Sequence, residues 1–201
     1  GALALASCSQ NEMSEITTGA TSVNFTIDGQ NAITRSVTNP TTEGSYSTQF
    51  VAGTDQIGIF ATGASAATNE CYTVATDGTG LTGATITINK TGNAQFFAYA
   101  PYNAEATAET VAHSVAVNQQ ENDAYNASNF LTAKSADITA ENPNVAFAFT
   151  PRLALVRVEM TGDLGITTTD VKINAKTDIT WTPATDEPTI TLTPYVNQGS
   201  P

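Results

Sequence analysis

Few side chains in this sequence are equipped for chemistry. There is one histidine, His113, and there are two cysteines, Cys8 and Cys71. His113 stands in "VAHSVAV", where alternation sets it beside Val111, Val115 and Val117 on the apolar side of an expected strand. A triad or a metal centre needs partners converging on that ring, and no motif supplies them. The chain carries no Gly-rich phosphate loop, no HExxH and no GxSxG. Glu121 and Asp123 have the makings of a glycosidase pair, but "NQQENDAYN" reads as a solvated polar loop. Neither an enzyme nor a bound metal or cofactor is expected.

The thiol of Cys8 suits a different reaction. "ALALAS" (residues 2–7) looks like the tail of a signal segment, apolar and then small. The tetrad "LASC" resembles the bacterial lipobox, whose cysteine receives a diacylglycerol and becomes the first residue of a mature lipoprotein. Ala6 and Ser7 are small enough to enter the processing sites, and "SQNEMSEITTGATS" follows as a polar tether. A disulfide with Cys71 and a chance match are the competing readings. The lack of a strand pattern around Cys8 weighs against the first. Cys71, in "ECYTVAT", reads as a small buried hydrophobe. The chain does not begin with Met, so a natural start upstream is expected.

Charge narrows the partners. The net charge is −12, and the seven Lys and Arg are scattered singly, so no patch can track a nucleic-acid backbone. The same charge repels an anionic membrane surface, and no apolar run reaches the roughly 18 residues of a spanning helix. Membrane attachment would therefore be hydrophobic or covalent, the covalent route running through Cys8.

The elements that must position these residues are strands. Only 13% of residues are charged, and the polar remainder is dominated by Thr, a β-branched residue suited to the wet face of a sheet. Period-2 alternation places Val23, Phe25 and Ile27 on one face of "SVNFTID". It does the same for Ala84, Ile86 and Ile88 in "ATITINK", and for Val145, Phe147 and Phe149 in "NVAFAFT". "LALVRVEM" is apolar on both faces and reads as a central strand; "DVKINA", "DITWT" and "PTITLTPY" complete the set. Gly- and Asn-rich turns separate them, and only "AEATAETVAH" has helical character. An all-β sandwich follows.

Four stretches in order resemble the fimbrillin-like proteins of Bacteroidales, which are pilus subunits and adhesins. The first is "AITRSV" with "FVAGTDQIGIFATG", carried by Thr34, Arg35, Asp55, Ile57, Gly58, Ile59 and Phe60. The second is "AQFFAYAPYN", with Tyr99, Pro101 and Tyr102 at its corner. The third is "NQQENDAYNASNFLTAKSADIT", with Asn129 where the family usually has Asp, then Phe130, Leu131 and Ala133. The fourth is "VAFAFTPRLALVRVEM", where Thr150 or a neighbour replaces the usual His.

The resemblance implies tandem transthyretin-like Greek-key β-sandwiches, of which this chain holds the first. Residues 1–19 would be the lipobox remnant and tether, 20–182 the sandwich, and 183–201 a linker or the start of a second domain. It also implies a structural subunit of surface fimbriae that mediates adhesion, made as a lipidated precursor at the outer membrane. An Arg-specific protease would cut after Arg35 and free the strand bearing Val23, Phe25 and Ile27. A neighbouring pilin subunit would then fill the groove by β-strand addition. The alternative is a surface lipoprotein that binds glycans on an aromatic platform of Trp181 with Tyr99 or Tyr102; core packing is the plainer role for Trp181.

Overall fold

Alternating side chains become strands where one face can be buried, and doublets of apolar residues become strands buried on both faces. The computed structural model describes residues 19–28, 50–63, 65, 67–119, 122–153 and 175–194. In chain order it begins with β1 (Ala20–Ser22), β2 (Asn24–Ile27), β3 (Gln56–Gly63), β4 (Glu70–Val74), β5 (Leu81–Gly83) and β6 (Thr87–Asn89). There follow β7 (Ala94–Ala100), β8 (Val111–Ser114), helix α1 (Asn122–Ala127), β9 (Leu131–Lys134) and β10 (Asn144–Phe147). Last come β11 (Thr150–Pro151), β12 (Ala175–Thr182) and β13 (Glu187–Pro194). The protein is an all-β sandwich.

Its central feature is an antiparallel sheet ordered β11-β9-β7-β3-β4-β5. Successive residues of β7 point to opposite faces. Phe96, Ala98 and Ala100 join Ile57, Ile59 and Leu131 in a first core, completed by Val23 and Phe25 from the start of the chain and by Val145 and Phe147 of β10. Phe97 and Tyr99 join Phe60 and Phe130 in a second core, closed by Val111, Ile179 and Trp181. The covering layers are β1 with β6 and β2 with β10 on one side, and β13-β12-β8 on the other.

Two glycines are dictated by tyrosines across the ladder. Gly58 pairs with Tyr99, and a Cβ at Gly58 would stand 2.1 Å from Tyr99 Cε1. Gly83 pairs with Tyr72, and a Cβ there would lie 2.7 Å from the Cys71 carbonyl oxygen and 2.8 Å from the Tyr72 ring. Tyr99 is fully buried and cannot swing aside. Gly58→Ala is therefore expected to cost about 3 kcal/mol of stability, read as a lowered urea midpoint.

Several expectations are revised. The helix is not in "AEATAETVAH", which forms turns leading into β8; it is α1, which overlaps the expected polar loop "NQQENDAYN" and has Asp123 in its first turn. In the former, the side chain of Asn103 accepts from the Glu105 N–H at 3.0 Å and holds a turn instead. β8 stops at Ser114, so Val117 is not on its apolar face but 85% exposed. Ala84 is exposed because the chain is crossing there from β5 to β6. In the β12–β13 turn Asp186 has φ +57° and its N–H donates to the Thr182 carbonyl at 2.9 Å. Residues 154–160 of "LALVRVEM", 170–174 of "DVKINA" and Glu121 lie outside the described residues.

Candidate functional site

The segment at residues 20–28 is a strand with neighbours on both sides. β1 pairs antiparallel with β6, Ala20 opposite Asn89 and Ser22 opposite Thr87. β2 pairs parallel with β10, Asn24 opposite Asn144 and Ile27 opposite Phe147. The backbone donors alternate accordingly. Val23 N–H donates to Ile86 O at 2.9 Å and Ile27 N–H to Thr79 O at 2.8 Å. On the opposite edge, Asn24 N–H donates to Pro143 O and Asp28 N–H to Phe147 O, both at 2.9 Å. Over residues 24–28 the segment is thus bonded on both sides, while β1 is bonded to β6 on one.

Its side chains sort as the alternation requires. Val23 and Phe25 are buried at 8% and 4% exposure, and Ile27 packs against the same core. The Phe25 ring meets Tyr72 edge-on with centroids 5.3 Å apart, meets Phe96 edge-on at 5.1 Å, and stacks on Phe147 at 5.8 Å. Asn24 and Thr26 face outward, and Asn24 Nδ2 donates to Asn144 Oδ1 at 3.2 Å. All three residues expected to face the core do so.

The aromatic cluster considered as a glycan platform is interior instead. Trp181 and Tyr99 are fully buried, with ring centroids 6.1 Å apart, and Tyr102 packs on the same core. Trp181 Nε1 donates to Asp186 Oδ1 at 3.0 Å, and Arg152 forms an ion pair with that oxygen at 2.5 Å. A ring without solvent access cannot stack on a sugar, so Trp181 belongs to the second core.

Tyr99 also closes the corner after β7, where the Ala100–Pro101 peptide is cis. Its hydroxyl lies 2.6 Å from Asn69 Oδ1 and 2.9 Å from the Asn103 carbonyl, two acceptors for one proton, and accepts from the Asn103 N–H at 3.2 Å. Asn69 and Asn103 escaped the sequence reading. Asn69 sits at φ +52°, a conformation asparagine tolerates better than most residues.

Burial pushes the Tyr99 hydroxyl up to about 12 from an ordinary 10.0. Burial, helped by the charge of Glu70, takes Tyr72 to about 12 as well, and its hydroxyl donates to the Ala84 carbonyl. The folded state holds both phenols neutral, so their contribution is complete below pH 10 and is lost as pH rises toward 12. Urea midpoints should stay level up to about pH 10 and fall above it, less steeply in Tyr99→Phe.

His113 stacks on Phe130 with centroids 5.0 Å apart, and its Nε2 lies 3.1 Å from the Ser128 carbonyl oxygen. The Cys71 thiol is half-buried and pushed up by that burial, which opposes formation of a thiolate. Among the described residues no cluster of His, Cys, Asp and Glu is arranged to hold a metal ion, and no helix is long and apolar enough to cross a membrane. Cys8 and Arg35 lie outside the described residues.

What stands out, then, is a β-sandwich protein whose singular feature is a strand-filled channel lined with aromatic rings. The chain belongs to the fimbrillin-like family, whose model matches residues 34–198. Neither a curated protein nor a solved structure matches it significantly. Membership suggests a structural subunit of fimbriae at the cell surface, assembling with other pilin subunits. The match begins at Thr34, so Cys8 and the strand at residues 20–28 stand ahead of it.

Proposed function

We propose that this chain is a fimbrial subunit made as a precursor lipidated on Cys8 and carried to the outer membrane. An Arg-specific protease cuts after Arg35, the segment at residues 20–28 leaves, and a strand from a neighbouring subunit takes its place. The polymer so built presents the protein for adhesion.

The observation that carries the reading is the position of that segment. Its β1 half is bonded to β6 and its β2 half to β10, with the Thr79 carbonyl on the other side of Ile27, and it buries Val23 and Phe25. Its departure would leave two unpaired strand edges flanking an apolar channel, a template for strand addition. The second core makes the departure survivable. Phe60, Phe97, Tyr99, Phe130 and Trp181 hold the opposite face of the middle sheet and include no residue of the segment. Cutting also changes the kinetics: a tethered strand rebinds at high effective concentration, whereas a severed one competes on equal terms with an incoming strand.

Folded protein treated with trace trypsin tests the reading. The first cut is expected after Arg35, followed by loss of residues 1–35 and growth of oligomers on native gels. A first cut elsewhere, with residues 1–35 retained, refutes the scheme.

A further inference from the structure

Resting on the reading that residues 20–28 leave and are replaced, the geometry points to a groove that selects its occupant. The vacated channel takes an extended polypeptide segment of another subunit in one chain direction only, with an aromatic ring at its centre and aliphatic side chains two positions to either side.

Direction is set by the two edges, which have opposite sense. The resident segment runs parallel to β10 and antiparallel to β6. Its amides at Val23 and Ile27 reach Ile86 O and Thr79 O, and those at Asn24 and Asp28 reach Pro143 O and Phe147 O. Parallel and antiparallel ladders space their hydrogen bonds differently, so a reversed strand brings the wrong pattern to both edges at once.

The central ring is set by what stays behind. Tyr72, Phe96 and Phe147 belong to β4, β7 and β10, none of which departs, and they enclose the Phe25 ring at 5.1 to 5.8 Å. An aliphatic side chain there leaves three ring faces partly uncovered. The flanking sites are shallower, with Val23 at 8% exposure and Ile27 only partly buried. The occupant is a segment of another subunit that carries this apolar-aromatic-apolar spacing.

The test uses the full chain cut after Arg35 and labelled synthetic peptides in excess: residues 20–28, the same with Phe25→Ala, and the same in reversed order. The first peptide should bind saturably, and the Phe25→Ala and reversed peptides about a hundredfold or more weaker. Equal binding by all three overturns the selectivity and leaves the removable strand standing. No binding even by the first peptide defeats the removable-strand reading itself. Should the cut chain unfold, uncut Phe25→Ala protein is melted with each peptide. A rise in Tm with the Phe25 peptide alone supports the selective groove, and equal rises, or none, refute it.

Discussion

Phe25→Ala lowers the free energy of unfolding by about 3–5 kcal/mol, among the largest effects any substitution outside the middle sheet should have. The ring is 4% exposed and contacts Tyr72, Phe96 and Phe147, so truncation opens a cavity bounded by large rigid groups that cannot collapse into it. Thr26→Ala is the control, because Thr26 sits on the same strand but faces outward, and it should cost about 0.5 kcal/mol or less. Urea unfolding of the two variants decides the matter. If they cost the same, the first core does not depend on this segment, and an incoming strand would have nothing to restore.

Trp181→Ala should be as damaging, again by about 3–5 kcal/mol, for a different core. The indole is fully buried against Tyr99 and Phe130, and its N–H donates to Asp186, which also pairs with Arg152. Were Trp181 a surface platform, its truncation would shift stability by no more than about 0.5 kcal/mol. Combining Phe25→Ala with Trp181→Ala addresses the division of the protein. The two rings lie in separate cores on opposite faces of one sheet, so the costs should add to within about 0.5 kcal/mol. A strongly non-additive result would mean that losing the first strand also unsettles the second core, and the domain would not outlast maturation.

Local patterns proved readable where burial was one-sided. The alternation in "SVNFTID" and "NVAFAFT" assigns Phe25, Phe147 and Phe149 inward, and all three are buried. It misled at Val117, because a run of alternating residues does not say where pairing ends; the partner strand β12 meets β8 only from Val111 to Ser114. The helix α1 was illegible for the opposite reason. It is short, and "NDAYNA" carries too few apolar positions to show a helical period. Sandwiching of the middle sheet on both faces did leave a trace, the doublets Ile59-Phe60 and Phe96-Phe97, whose members divide between the two cores. Such doublets show that both faces are covered without showing by what.

By itself, the sequence determined an acidic, Thr-rich all-β chain with few charged residues, the inward set Val23, Phe25 and Ile27, and the family, because period-2 burial and side-chain type are local properties. Only the tertiary structure decided that residues 20–28 lie between two neighbours and run parallel to β10. Asn24 and Asn144 stand 120 residues apart, and no local preference specifies a partner at that distance. Tertiary structure likewise decided that Gly58 must lack a side chain and that Trp181 lies inside. Both follow from which strand crosses opposite which, a choice made by packing two cores against one sheet.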